Sequence, residues 1–355
     1  MEYDSSPVLS NLNIRNNNAE DNGGGICIHS EGGKASPVLT NVTIINNVSG
    51  RWGGALCING KTSKPKLENV NITGNKAIEG GGFACIAEEF DCSPELENVL
   101  ISGNKANKSG GVYIFAMAAK ACPILINTTI CGNNAFSGDI DDYGVGGMFI
   151  ISTGEARPYL KNSVIWGNKS IIEEINNFYL YGRGGNNPVY TYSLVEGMDL
   201  GATNLSGNTD PKFVNHVNAD FAPTVSGMGD YRLSEISPLI NKGNNSDVNL
   251  LYDLDGQNRI YGDIVDIGAF ELQRDPDISN NDAMSVVKSI WSYQGSLYVK
   301  TINNATTISV YSINGMMVKQ INNIGEGTHT ITLPEGFYIV KLSTGETKKI
   351  IIRNK

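Results

Sequence analysis

Apolar and polar residues alternate in a pattern that recurs six times in the first 190 residues. Six segments fit P-x-L-x-N-x-x-I-x-[NG]-N, and they begin at Pro7, Pro37, Pro65, Pro94, Pro123 and Pro158. The Leu and the Ile of each copy lie between polar residues, which is typical of short strands with one buried face. A second apolar strand follows a glycine pair in five copies, as GGGICI, GGALCI, GGGFACI, GGVYIF and GGMFII. Each copy therefore predicts a few short strands joined by Asn and Gly corners.

One copy of this repeat is too small to bury its own apolar side chains. The starting prolines are 28 to 35 residues apart, a period that suits a parallel β-helix in which each coil rises about 4.8 Å. Stacking the copies buries one continuous core. A leucine-rich horseshoe would need a helix or a denser Leu pattern in each repeat. We therefore predict an all-β chain, with about seven or more parallel β-helix coils over residues 1–215 and the final coils and a C-terminal cap over residues 216–272.

Two asparagine positions recur in every copy and predict two ladders of stacked side-chain amides. Asn tolerates left-handed backbone conformations, and an amide repeated in every coil can bond to the coils above and below. The first column contains Asn11, Asn41, Asn69, Asn98, Asn127 and Asn162, and the second contains Asn17, Asn47, Asn75, Asn104, Asn133 and Asn168. Buried amides need partners, so we expect a structural role for both columns rather than a ligand site.

The pattern changes after a polar linker at residues 273–283. Residues 284–355 contain about seven short alternating strands, which predict a small Ig-like β-sandwich. Asn314-Gly315 lies between two of these strands and predicts a type I′ hairpin turn.

Charge and composition argue against a nucleic-acid partner and against a transmembrane segment. The net charge of -9 offers no basic stripe to neutralise nucleic-acid phosphates. No apolar run reaches the 18 or more residues of a transmembrane segment.

The N-terminus lacks a secretory signal pattern. Because the first coil begins at Pro7 without a cap over its apolar end, we expect upstream residues to be missing.

The cysteines are expected to be structural. Cys27, Cys57 and Cys85 each follow their proline by 20 residues, and Ile114 occupies the same position in the next copy. A position shared by Cys and Ile indicates the core. A catalytic thiol is not favoured, because the three histidines of the chain, His29, His216 and His329, are scattered along the sequence. A disulfide remains possible, for example between Cys92 and Cys122 across one coil.

Candidate chemistry lies in two insertions, in the fifth and sixth coils. Both insertions leave the coil from the same segment, so we expect them to project side by side. Their candidate glycan-binding or ion-binding residues are Asp139, Asp141, Asp142, Tyr143, Tyr179, Tyr181 and Arg183. Carboxylate oxygens suit calcium, the one cofactor that the sequence suggests, and tyrosines can stack on sugar rings. The alternative is a pair of solvated loops, since long loops also tolerate insertion. No residue is assigned a catalytic or metal-binding role.

The repeats resemble those of known surface proteins. A Gly pair before an apolar strand, followed by I-x-x-N, is similar to the repeats of polymorphic outer-membrane proteins and related bacterial β-helices of the pectin-lyase-like fold. This resemblance implies a right-handed coil. The stretch DLDGQNRIYGDIVDIGAFE, from Asp253 to Glu271, resembles the choice-of-anchor ending of secreted bacterial β-helix proteins. Asp253, Asp255 and Gly256 also resemble the start of a calcium loop, but a cap turn is favoured.

The last segment resembles the type A C-terminal sorting domain of the Bacteroidetes type IX secretion system. The matching stretches are ISVYSINGMMVKQ, GFYIVKLSTG and KKIIIRNK. The resemblance implies that export machinery recognises this domain and that the protein reaches the cell surface or the extracellular space.

Three functions fit these features. The first is a noncatalytic, adhesin-like or glycan-binding scaffold whose partner is a polysaccharide or a host or matrix surface. The second is a polysaccharide lyase or glycoside hydrolase that acts through the loops of coils five and six. The third is a structural spacer.

Overall fold

The computed structural model divides the chain into two compact units, Met1–Gln273 and Arg274–Lys355. It describes residues 4–60, 64–136, 138–139, 142–182, 187–223, 229–273, 287–293, 296–301, 306–343 and 347–352. The linker expected at residues 273–283 lies outside the described residues, except for Gln273.

The first unit is a parallel β-helix of about six turns, which confirms the predicted fold class. Sheet 1 contains Val8–Ser10, Asn13–Arg15, Val38–Ile45, Lys66–Thr73, Glu95–Ser102, Ile124–Ile126, Thr129–Cys131, Tyr159–Lys161, Val164–Trp166, Val189–Thr191 and Leu194–Val195. Sheet 2 contains Ile26–Ser30, Leu56–Gly60, Phe83–Ala87, Val112–Ala116, Met148–Ser152 and Phe178–Gly182. Sheet 3 contains Asn18–Ala19, Val48–Ser49, Lys76–Ala77, Lys105–Ala106 and Asn134–Ala135, and a short parallel pair joins Lys120–Ala121 to Glu155–Ala156.

The Leu and Ile of the repeat form two stacked columns inside the coils. Leu39 pairs with Leu67 and Ile44 pairs with Ile72 in adjacent parallel strands, and all four side chains are fully buried. The columns continue through Leu96, Leu125 and Leu160 and through Ile101, Ile130 and Ile165. Burying one such side chain stabilises the fold by about 1.5–3 kcal/mol, so stacking the repeats supplies the stability that one copy lacks.

The glycine pairs permit close contact between coils. A Cβ atom added to Gly54 would lie 2.3 Å from the Gly81 carbonyl oxygen and 2.6 Å from that of Lys76. Such distances would force backbone atoms apart, so the pair marks a corner where only glycine fits.

The second asparagine column forms a continuous buried ladder. Asn75 Nδ2 donates to Asn104 Oδ1 at 2.9 Å. Asn75 Oδ1 accepts from the backbone N–H of Asn47 at 2.9 Å and from its Nδ2 at 3.0 Å. The same bonds recur from Asn17 to Asn168. The predicted ladder is therefore confirmed for this column, and each side-chain amide forms hydrogen bonds with the asparagine of the next coil.

A further, partial coil, absent from the six repeats found in the sequence, continues the stack in sheet 1. Val189–Thr191 and Leu194–Val195 pair with the sixth coil. Tyr192, with φ of 51°, takes the left-handed corner that Asn occupies in the earlier coils. Asn177, from the insertion of the sixth coil, extends the ladder, because its Oδ1 accepts from Asn168 Nδ2 at 2.9 Å.

The first asparagine column has a different role. Its six members have φ between 48° and 55°, the left-handed conformation in which Asn is tolerated. Direct amide contacts are described at Asn41–Asn11 and at Asn98–Asn69, so the described bonds do not form one continuous ladder. The last three amides, of Asn98, Asn127 and Asn162, donate to the carbonyl oxygens of Tyr252 (2.8 Å), Asp266 (3.2 Å) and Asn244 (2.9 Å), respectively. This column therefore attaches a later segment of the chain to the coils.

That later segment, residues 213–272, is the flank segment. Its described strands, Phe213–Asn215 and Asp230–Leu233, pair antiparallel with each other. Its apolar side chains pack on residues of sheet 1, including Leu100, Val164 and Leu194. The equivalent positions of the first three coils are polar, namely Asn13, Thr43 and Asn71. The segment therefore covers the later coils of sheet 1, where these positions are apolar except for Thr129, whose Oγ1 accepts from the Ala269 N–H, whereas the sequence suggested that residues 216–272 continue the stack and cap it.

Buried ionic groups hold the flank segment together. The guanidinium of Arg259 is fully buried and donates to Glu271 Oε2 at 2.8 Å and to the Gly268 carbonyl oxygen at 3.1 Å. Asp253 Oδ1 accepts the N–H groups of Asp255 and Gln257, and its Oδ2 accepts that of Glu271. Asp253 therefore organises a turn, as favoured from the sequence.

The cysteine column differs from the prediction by one residue. Cys27 pairs with Cys57, but Cys57 pairs with Ala84, whereas Cys85 pairs with Ile58. The third coil reaches this strand one residue earlier than the second coil does, and a one-residue shift reverses which face of a strand each side chain occupies. Cys85 is therefore in the central core, whereas Cys57 joins a cluster on the opposite side of sheet 2. The expected register therefore holds from Cys27 to Cys57 and from Cys85 to Ile114, but it is wrong between Cys57 and Cys85, and Cys27 is exposed rather than in the core.

The second unit contains two antiparallel sheets, as predicted. One contains Val287–Tyr293, Ser296–Thr301 and Gly327–Thr332, and the other contains Met317–Ile324, Thr306–Ser312, Gly336–Leu342 and Thr347–Ile352. The predicted hairpin joins Thr306–Ser312 to Met317–Ile324. Its turn is not type I′, because Gly315 (φ 83°) has positive φ but Asn314 does not. The Gly315 N–H donates to Ser312 O, which indicates a type I turn followed by a left-handed Gly.

Candidate functional site

The two predicted insertions lead into neighbouring strands of sheet 2. In the fifth coil, Gly138–Asp139 and Asp142–Tyr143 form a small antiparallel hairpin in which Asp139 pairs with Asp142. In the sixth coil, the insertion contains the 3-10 helix Glu173–Ile175. Asp141 and Arg183 lie outside the described residues. The structure thus brings Asp139 and Asp142 together through their backbones.

Tyr179 and Tyr181 extend a row of aromatic side chains across sheet 2. Along the strand Phe178–Gly182, Phe178 and Leu180 pack against the central core, and the two tyrosines alternate with them. In the adjacent strands, Tyr179 is in register with Phe149 and Tyr113, and Tyr181 is in register with Ile151 and Phe115. We call these six outward-facing residues the aromatic face: Tyr113, Phe115, Phe149, Ile151, Tyr179 and Tyr181.

The rings of the aromatic face contact each other. The ring centroids of Tyr113 and Phe149 are 6.0 Å apart, and those of Phe149 and Tyr179 are 5.9 Å apart. Tyr113 and Phe115 have nearly parallel rings, 6.4 Å between centroids. These separations are typical of favourable aromatic pairs. The rings of Tyr113, Phe115, Phe149 and Tyr179 therefore form one packed group.

Exposure increases across the aromatic face. Tyr113 and Phe149 are only 3% and 2% exposed, and they pack with Trp52 and Val145. Phe115, Ile151 and Tyr179 are half-buried, and Tyr181 is 57% exposed. Tyr113 and Phe149 thus form a packed base, whereas Phe115, Ile151 and Tyr181 present apolar area and a phenol hydroxyl to solvent.

Charged groups border the buried end of the aromatic face. Arg51 lies over the Trp52 ring, with its guanidinium carbon 3.6 Å from the ring centroid. Glu79 accepts from Trp52 Nε1 and forms an ion pair with Lys108 Nζ at 2.7 Å. These contacts hold Trp52 in the buried cluster that also contains Tyr113 and Phe149.

Sequence reasoning selected Tyr179 and Tyr181 but placed them in a projecting loop, whereas they lie in a strand of sheet 2, and it missed the rest of this face. The signal was present in VYIFA, MFIIS and FYLYG, in which large apolar or aromatic residues stand at alternate positions of three successive coils. The corresponding outward positions of the first two coils hold Cys27, His29, Cys57 and Asn59. The face is therefore confined to the coils next to the insertions.

A groove lies between sheet 1 and the flank segment. This groove has a volume of about 320 Å³ and is lined by Thr43, Asn71 and Arg232 among others. Arg232 Nη2 donates to Asp255 Oδ1 at 2.8 Å, and its Nη1 donates to Asp230 Oδ1 at 3.1 Å. Both carboxylates are thus compensated by one guanidinium, an arrangement unlike the separated acid and base of a glycosidase.

The described residues contain no cluster of three or more His, Cys, Asp or Glu side chains arranged to hold a metal ion. Asp253 and Asp255 direct their oxygens to backbone N–H groups and to Arg232. The described residues therefore give no location for the calcium ion that the sequence suggested.

The comparison with protein families concerns the second unit. Residues 293–353 match the secretion system C-terminal sorting domain. No curated protein matches the chain in sequence. Among the described residues, no helix is both long enough and apolar enough to cross a membrane. The chain is thus a β-helix protein carrying a type IX secretion sorting domain, which interacts with the export machinery and directs the protein to the cell surface or the extracellular space.

Proposed function

We propose that the protein is a noncatalytic, adhesin-like scaffold of the cell exterior that binds a neutral glycan on its aromatic face. The observation that carries this proposal is the graded exposure of the aromatic face, which increases from Phe149 (2%) to Tyr181 (57%). A sugar ring presents a face of C–H groups that packs on an aromatic ring, while the phenol hydroxyl can bond to sugar hydroxyls. Tyr179 and Tyr181, on one strand, would contact neighbouring parts of the same glycan.

Charge favours a neutral glycan over an acidic one. The whole chain has a net charge of -9, yet residues 274–355 contain more Lys and Arg than Asp and Glu. The acidic excess therefore belongs to the β-helix unit, and it would repel uronate or sulfate groups. This argument also disfavours a lyase, whose substrates are uronate polymers.

A glycan panel tests the proposal. The full chain is incubated with immobilised neutral, uronic and sulfated polysaccharides, and both retention and release of new sugar ends are measured. We expect retention on at least one neutral polysaccharide without release of new ends. Cleavage would establish an enzyme instead, selective retention on acidic polymers would refute the charge argument, and no retention would favour a structural spacer.

A further inference from the structure

Two buried cysteines of the third coil contact each other inside the central core. Cys85 is the middle residue of the strand Phe83–Ala87, and Cys92 follows seven residues later, where the chain enters the next side of the coil. Both side chains are fully buried in the same cluster. Their Sγ atoms are 2.6 Å apart. Heavy atoms that are not bonded normally stay on the order of 3.5–4 Å apart, so the backbone already presents the two sulfurs for bonding.

Neighbouring cysteines are less suitable partners. Cys122, the partner considered from the sequence, lies in the next coil. Its contact with Cys92 is a backbone hydrogen bond, from Cys122 N–H to Cys92 O at 3.1 Å. Its side chain is half-buried, whereas that of Cys85 shares the core with Cys92. Cys57 is on the opposite face of sheet 2.

We propose that Cys85 and Cys92 form an intramolecular disulfide in the exported protein. The sorting domain implies export, and disulfides form and persist in oxidising compartments outside the cytoplasm. The oxidant is a protein disulfide of the thiol-oxidoreductase class. One cysteine thiolate attacks that disulfide to give a mixed disulfide, and the second thiolate then displaces the oxidoreductase sulfur. The two cysteines lose two protons and two electrons, and the oxidant becomes a dithiol.

Burial fixes when this reaction occurs. Because neither sulfur is exposed in the closed coil, exchange with an oxidoreductase precedes final packing of the third coil. The bond closes the short loop that connects sheet 2 to the next side of the coil, between Cys85 and Cys92. It thereby fixes one corner of the stack covalently, in the coil where the register shifts.

Peptide mapping tests the bond directly. The secreted full chain is denatured at mildly alkaline pH with iodoacetamide already present and without reductant, so that free thiolates are alkylated at once, and it is then digested after Glu residues. Cleavage after Glu79, Glu88, Glu89 and Glu95 separates the peptides GGGFACIAE and FDCSPE. We expect these two peptides to remain joined, with a mass two hydrogens below the sum of the reduced peptides.

Two variants complete the test. In Cys122→Ser the joined peptides should persist, whereas in Cys92→Ser the peptide with Cys85 should be fully alkylated. Recovery of both wild-type peptides singly alkylated would overturn the proposal. Recovery of FDCSPE joined to the peptide of Cys122 would also overturn it.

Discussion

At the residue scale, identical asparagines in one repeat perform two different tasks. The second column stacks amide on amide in the core, as Asn75 does with Asn104 and Asn47. The first column adopts the left-handed corner, and three of its amides bind the flank segment. The repeat predicted both columns, because every copy contains both. The division of roles could not be predicted, since it depends on a segment more than 80 residues away in the sequence.

Loss of one ladder amide should destabilise the β-helix. Asn75→Ala removes the partners of Asn47 and Asn104 in a fully buried site, so we expect a decrease of about 1 to 3 kcal/mol in the free energy of unfolding. Denaturant unfolding of the full chain measures it. Asn13→Ala, at an exposed strand position, is the control and should change the free energy by about 0.5 kcal/mol or less. An unchanged midpoint for Asn75→Ala would contradict a stabilising ladder.

The reactivity of Cys27 should reveal its contact with Cys57. A hydrogen bond from the Cys57 thiol lowers the pKa of Cys27 to about 7, against the opposing effect of burial. In the reduced protein, the alkylation rate of exposed Cys27 should therefore rise with pH through a midpoint near 7, because the thiolate is the nucleophile. Cys57→Ala removes the donor and should move that midpoint upward by more than about one pH unit. Ala84 occupies the equivalent position of the next coil, so alanine fits there. A midpoint that is the same in both proteins would refute this contact.

At the element scale, small differences between coils decide what each face of the helix does. One residue fewer in the third coil moves Cys85 into the core and places Ala84 beside Cys57. Sheet 1 changes from Asn71 to Leu100 between adjacent coils, and the flank segment covers the apolar part. Both differences are visible in the sequence once the register is known. The repeat alone could not supply that register, because prolines and glycines mark corners without fixing the number of residues between them.

Arg259 should be essential to the flank segment. Arg259→Met leaves the buried Glu271 carboxylate without its cation and several carbonyl oxygens without a donor. Breaking a buried pair in this way costs about 3–5 kcal/mol. Arg232→Met, which breaks exposed ion pairs with Asp230 and Asp255, is the control and should cost about 1 kcal/mol or less. Thermal unfolding of the full chain measures both variants. Equal losses would show that the Arg259 network does not stabilise the segment.

At the scale of the whole molecule, the sorting domain and the proposed binding surface lie in different units. The sorting domain occupies residues 293–353, and the aromatic face belongs to the β-helix unit. The sequence predicted both folds, because repeats and alternating strands are local patterns. It identified only the two tyrosines of the aromatic face, because the face is assembled from three coils whose register the sequence did not show.

Deletion of residues 293–353 should separate these two properties. Without the sorting domain, we expect the protein to be retained by the cell, since the export machinery loses its signal. The β-helix unit should stay folded, because it has its own core. Immunodetection in medium, at the cell surface and in lysate measures location, and resistance to limited proteolysis measures folding. Unchanged appearance of the truncated chain outside the cell would contradict the role of this domain.

The central claim is that the aromatic face binds a glycan, and titration calorimetry with the neutral polysaccharide retained in the panel tests it most directly. Tyr181→Ala should weaken binding about tenfold, or about 1.4 kcal/mol, because it removes the most exposed ring of the face. Tyr181→Phe keeps the ring and should weaken binding less. Tyr252→Ala, at a tyrosine of the flank segment with similar exposure (54%), is the matched control and should bind as the wild type does. If Tyr181→Ala binds as tightly as the Tyr252→Ala control, the aromatic face is not the binding site.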